Sequence, residues 1–154
     1  MAQTDSLKYH PLDSLATHAP DALADAVHDA PVVEAFWTLR LGFGLLAIVA
    51  GADKFVHVFG NWEIYLAPDL AETFGGNSHG IMMIVGVLEI VTGLGLFLLP
   101  RVFGFVLTAW LVAIVINMMS HGEYYDIGLG AAGLACGAFA LGRMAQDHHR
   151  RGGD

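Results

Sequence analysis

The sequence predicts an all-α integral membrane fold: a four-helix bundle with a short interfacial segment between its first two spanning helices. Three observations carry this. The chain of 154 residues contains four apolar runs, each about the length a helix needs to cross a ~30 Å hydrocarbon core. It is 55% hydrophobic and only 14% charged, and the charges fall mostly outside those runs. It also carries nineteen glycines, which in membrane helices let backbones approach closely. The division expected is a polar arm at 1–31, a transmembrane domain at 32–143 and a charged tail at 144–154.

Residues 1–31 are rich in Asp and Ala, and Pro20-Asp21 is a start signal for a short helix reaching Asp29. His10, His18 and His28 are spaced too irregularly for a metal site. The opening MAQTDSLKYHPLDSL has no basic region followed by an apolar core, so no cleavable signal peptide is expected.

The first span is expected at 33–58, with Arg40 one to two turns inside its start, Trp37 in an interfacial belt and Asp53, Lys54 and His57 at its end. Residues 60–78 are too polar to cross. Trp62, Tyr65, Leu66 and Phe74 suggest a short helical segment broken near Pro68, lying over one end of the bundle as a lid.

The second span, 79–99, organises the rest. Glu89 is the only ionisable group inside its apolar run. A carboxylate at that depth costs about 2.5–3.5 kcal/mol on insertion scales, so it should face protein or water. His79, Met82, Gly86, Glu89 and Gly93 share one helical face, read as the packed face, with Ile84, Leu88, Val91 and Leu98 toward lipid. Pro100-Arg101 makes a tight turn into a third span at 102–120, and the fourth follows at 125–143. There Gly133 and Gly137 form a small-xxx-small pair expected at a helix crossing.

An even number of spans puts both termini on one side, with Lys8, Arg40, Arg101, Arg143, Arg150 and Arg151 there and only Lys54 opposite. The positive-inside rule makes that side cytoplasmic, in a bacterial-type inner membrane. The outer end then holds a polar ring of Asp53, Lys54, His57, His79, Asn117, His121 and Asp126, to which every span contributes. Lys54, Asn117, His121 and Asp126, with Glu89 below them, are the candidate site for a quinone headgroup or a partner loop. The covering segment would lower the local dielectric and strengthen any pairing of Lys54 with Asp126 or Asp53. Glu89 either satisfies a buried hydrogen bond or pairs with Arg40, or it is a functional, proton-responsive or quinone-facing group. Haem b needs two histidines opposed inside the bundle, whereas His57, His79 and His121 all sit near the headgroups. No CxxC or HExxH motif supports another metal, so no metal site is assigned. The single Cys136 excludes a disulfide framework, and the net charge of −8 argues against nucleic acid as a partner.

The runs LRLGFGLLAIVAGADKF, VGVLEIVTGLGLFLLP and YYDIGLGAAGLACGAFALGR resemble the DoxX-like family of small four-helix membrane proteins. The matching features are Arg40 ahead of a Gly-rich helix, Gly51 with Lys54-Phe55, Glu89 with Gly93, and Asp126-Ile127-Gly128, over about residues 36–143. That family is named from a subunit of a thiosulfate:quinone oxidoreductase. The resemblance implies a redox-associated, quinone-side accessory subunit of a larger membrane complex, taking part in catalysis only as one subunit of a quinone-linked oxidoreductase. The arm, the histidines and the long first loop depart from the family's pattern. The competing reading is a purely structural subunit or anchor. A carrier is disfavoured because there is no inverted repeat.

Overall fold

In the computed structural model the backbone is described for residues 11–151 and the side chains for 30–147. Residues 1–10 and the side chains of His10, His18, His28, His148 and His149 lie outside this range. The chain divides into two compact units, Met1–Ala35 and Phe36–Asp154. In the first, the backbone is helical from Pro11 on, where the sequence suggested only a short helix from Pro20.

All regular structure among the described residues is helical: α1 (Pro11–Val56), a 3-10 turn (Trp62–Tyr65), α2 (Pro68–Thr73), α3 (Ser78–Leu98), α4 (Pro100–His121) and α5 (Tyr125–Arg151). Four segments are long and apolar enough to cross a membrane: Ala30–Val56, Ser78–Leu98, Pro100–His121 and Tyr125–Asp147. The boundaries follow local chemistry. Pro68 and Pro100 sit at first-turn positions, where a missing N–H costs nothing. Asn77 caps α3 by accepting from the Gly80 amide at 2.9 Å. Gly122, at φ 83°, ends α4 in the left-handed conformation that glycine adopts without strain.

Glycines set how closely the helices approach. At Gly51 a Cβ would lie 2.6 Å from the Gly86 carbonyl oxygen, so α1 and α3 touch backbone to backbone. At Gly104 it would lie 2.7 Å from the Gly142 Cα, and α4 meets α5 in the same way. Gly95 lies against the Phe103 ring and Gly137 against Phe43, which closes the ring of neighbours α1–α3–α4–α5–α1. Gly133 does not take part: among the described residues nothing lies within 4 Å of a Cβ built there. The expected small-xxx-small crossing is therefore made by Gly137 alone. Residues 133 and 137 are four apart, a rotation of about 40°, enough at this helix edge to turn one glycine outward.

The face of α3 is as read except at His79, which is exposed because it sits in the first turn of the helix, beyond the packed part of the bundle. Met82, Gly86, Glu89 and Gly93 are buried, while Ile84, Leu88, Val91 and Leu98 are exposed, as a lipid-facing surface must be. At the end bearing the Pro100 turn the bundle is filled by Phe36, Leu96, Leu107, Leu111, Ala138 and Leu141. At the other end that packing gives way to polar side chains and a cavity.

Arg40 belongs to the filled end. Its Nε donates to the Leu96 carbonyl at 3.0 Å and its Nη2 to the Phe97 carbonyl at 2.5 Å. These are last-turn carbonyls of α3. Leu99 leaves helical backbone (φ −136°, ψ 66°) and Pro100 has no N–H, so the main chain cannot satisfy them. The guanidinium also lies 4.8 Å from the centre of the Trp37 ring. The suggested Arg40–Glu89 pair does not form.

Candidate functional site

The partner of Glu89 is Lys54. Nζ and Oε2 are 2.6 Å apart, and the two side chains are 5% and 10% exposed. The meeting follows from helix geometry. A side chain leans toward the N-terminus of its own helix. In α1 that direction carries Lys54 away from the bundle end and into the membrane, where Nζ also lies 3.4 Å from the Ala50 carbonyl one turn back. In α3, which runs the other way against α1, it carries Glu89 toward Lys54. The gap between them is spanned because Gly51 and Gly86 hold the two backbones together. Lys54 thus pairs with Glu89 rather than with Asp126 or Asp53. On the far side of the carboxylate the Trp110 indole N–H lies 3.4 Å from Oε1, a long and weak approach.

Asp53 has a different task. Only 2% exposed, it accepts from the Val58 amide at 2.8 Å, the Phe59 amide at 3.1 Å and the Trp62 indole N–H at 2.6 Å. These bonds turn the chain out of α1 through His57, the one non-glycine residue with positive φ (55°) among the described residues. They also set the Trp62 ring over the Lys54 ammonium, 4.4 Å from Nζ to the ring centre. Asp53 therefore positions the lid, and Trp62 is the part of it that covers the ion pair.

Asn117 fixes the lid from α4. Its Nδ2 donates to the Tyr65 carbonyl at 2.7 Å and its Oδ1 accepts from the Ala67 amide at 3.0 Å, joining the 3-10 turn to α2. Leu66 and Ala67 are buried beneath this link. The segment at 60–78 covers the end of the bundle, as the sequence suggested.

Between lid and helices lies a cavity of about 530 Å3, within the ~300–1,000 Å3 range of small-molecule sites. Lys54, Glu89 and Asn117 line it together with Trp62, Trp110 and Met82. Its wall is chiefly apolar, and the Lys54–Glu89 ion pair lies on it.

Three of the five candidate residues thus converge and two do not. His121 lies outside the cavity wall, edge-on to Tyr124 at 4.7 Å between ring centres, with a buried Nδ1 that has no hydrogen-bond partner among the described residues. Asp126 is exposed, with no bonded partner among the described residues. His79 stands at the exposed mouth, where Nδ1 is 2.7 Å from Glu63 Oε1. The polar ring is accordingly several local clusters and not one site. Trp110 was missed, although its spacing showed it: Trp110, Ile114 and Asn117 follow at i, i+4 and i+7 on one face of α4.

Four apolar spans closed into a bundle define a multi-pass helical membrane protein. No protein-family model matches the chain, and no curated protein and no solved structure matches it.

Proposed function

We propose that this chain binds the headgroup of a lipid-soluble quinone and serves as the quinone-side subunit of a membrane redox assembly. The observation that carries the reading is the buried Lys54–Glu89 pair opening onto an apolar cavity beneath Trp62. A quinone headgroup is flat and apolar with carbonyl oxygens at its edge. It needs an apolar slot, aromatic neighbours and a hydrogen-bond donor, and these residues offer all three. Lys54 Nζ is the donor, Trp62 and Trp110 are the flat walls, and Glu89 holds the ammonium in place. A bound quinone would supply two-electron, two-proton chemistry. Among the described residues Lys54 and Glu89 are the cavity's proton-holding pair, and the electrons would come from a partner protein. The resemblance to DoxX-like proteins points the same way.

The orientation that fits has both termini in the cytoplasm of a bacterial-type inner membrane, so the lid faces outward. Six of the seven Lys and Arg residues belong to the inner side, and the seventh, Lys54, is occupied with Glu89. The test is lipid extraction from the purified protein followed by quinone chromatography. Quinone should co-purify with the parent and drop at least tenfold in Lys54→Met. Equal quinone in both, or none in the parent after extraction in mild detergent, rejects the reading.

The structural-subunit reading has its own observation. Gly130 and Gly133 on α5 meet nothing among the described residues, and the exposed Cys136 lies on the same side, leaving room for another helix. Under that reading Gly133→Leu dissociates a native complex while leaving quinone content unchanged.

A further inference from the structure

We propose a divalent transition-metal site of the Zn2+ class at the mouth of the bundle, formed by His57, Glu63 and His79. It is independent of the quinone reading, since none of the three residues lines the cavity wall. The three come from separate places: His57 follows the last residue of α1, Glu63 lies in the 3-10 turn, and His79 is the second residue of α3. One ligand atom from each lies within 4.8 Å of the others. Around a tetrahedral zinc, bonds of about 2.0–2.2 Å put ligand atoms about 3.3–3.6 Å apart. The cluster is therefore within a side-chain rotation of closing on an ion. His57 and His79 are exposed, and His79 Nδ1 already lies 2.7 Å from Glu63 Oε1.

Two further observations single this cluster out from ordinary surface polarity. The His57 and His79 rings are nearly parallel, at 14° with centres 6.3 Å apart, although their chain positions are twenty-two residues apart. His57 reaches that position only through a left-handed backbone (φ 55°), costly for a residue with a β-carbon and maintained by the Asp53 bonds to Val58 and Phe59. Strain of this kind persists where the surroundings fix it, and here it sets an imidazole beside a second imidazole and a carboxylate. Two imidazoles with one carboxylate form a borderline donor set, which suits Zn2+ over the hard cations Mg2+ and Ca2+. Three protein ligands leave a fourth position, which opens to solvent.

Such an ion would cross-link the end of α1, the lid and the start of α3. Glu63 neighbours Trp62, so a metal bound there holds the covering ring down through one peptide unit. The site is thus a clasp on the lid.

The experiment is metal binding to the full chain in detergent, comparing the parent with the triple variant His57→Asn, Glu63→Gln, His79→Ala. Asparagine is chosen at position 57 because it tolerates left-handed backbone. The triple variant keeps His148, His149 and the N-terminal histidines, so binding to those cancels. Equilibrium dialysis should give one more Zn2+ per chain for the parent. Co2+ should show the intense visible bands of tetrahedral coordination in the parent only, and each single variant should weaken Zn2+ at least tenfold. Hydrogen exchange in residues 58–66 should slow on adding Zn2+ to the parent and not to the triple variant. Equal Zn2+ stoichiometry in the two proteins, or Co2+ spectra that stay octahedral in both, overturns the site. So does a preference for Mg2+ or Ca2+ over Zn2+.

Discussion

Trp62 lies over the ammonium of Lys54, and its indole N–H is held by Asp53, the residue immediately before that lysine. One turn of α1 thus supplies both the buried cation and the anchor for the ring that covers it. Coverage by Trp62 and pairing with Glu89 take Lys54 out of water, which makes the pair expensive to break and strong while intact.

Lys54→Met leaves Glu89 buried without its cation and should cost about 3–5 kcal/mol of stability. Glu89→Leu should cost a similar amount for the opposite reason. Combining the two removes both charges, and the double variant should recover a substantial part of the loss, giving a coupling energy on the order of 1–3 kcal/mol. Unfolding of the purified protein in mixed micelles measures all four corners of the cycle. Strictly additive losses would mean that the pair is open in the membrane.

The glycines separate cleanly by what a side chain would meet. Gly51→Leu drives α1 from α3 against the Gly86 carbonyl and should destabilise by about 1–3 kcal/mol, also pulling Lys54 from Glu89. Gly133→Leu points into open space and should change monomer stability by less than about 0.5 kcal/mol. Thermal unfolding in detergent decides this, and equal losses at the two positions would contradict the packing described.

Asn117→Leu removes both bonds that hold the Tyr65 carbonyl and the Ala67 amide to α4, while leaving Asp53 and Trp62 untouched. The lid should loosen at its second half. Hydrogen exchange in residues 65–74 should accelerate at least tenfold, with exchange within α4 and α5 unchanged, because opening a surface segment is a local event. Uniform acceleration throughout the bundle would instead make Asn117 a residue of global stability.

The spans, the inner face of α3 and the covering segment were legible in the sequence because each is written in a repeating pattern: apolar length, a three-to-four spacing, or an aromatic run interrupted by proline. Partner choice was not legible. Glu89 and Lys54 were both visible as candidates, but pairing them requires the facing register of α1 and α3, which the Gly51–Gly86 contact sets. Periodicity within one helix carries no information about register between two. The ring of polar residues at one end of the spans was misread as a single site for a related reason. Residues that end different helices share a depth, yet the rotation of each helix sends Asp126 to the surface and His121 against Tyr124.

Arg40 offers the clearest case of a charge whose task is to finish a helix. α3 stops at Leu98 because Leu99 turns away and Pro100 follows, and this strands partly buried carbonyls at the end of the helix. The guanidinium supplies two N–H groups in a rigid fork that reaches the Leu96 and Phe97 oxygens together. Arg40→Leu should therefore cost about 1.5–3 kcal/mol, the usual worth of a hydrogen bond to a charged group, and should fray the last turn of α3. The Leu99 amide, bonded to the Gly95 carbonyl at 2.7 Å, is the reporter: its hydrogen exchange should speed up in the variant while the amides around Glu89 keep their protection. Arg40→Lys retains the charge but presents a single point donor, so it should fall between the parent and the leucine variant. If lysine performs as well as arginine, the charge alone matters and the forked geometry does not. If leucine leaves Leu99 protected, the α3 carbonyls are satisfied by something other than Arg40.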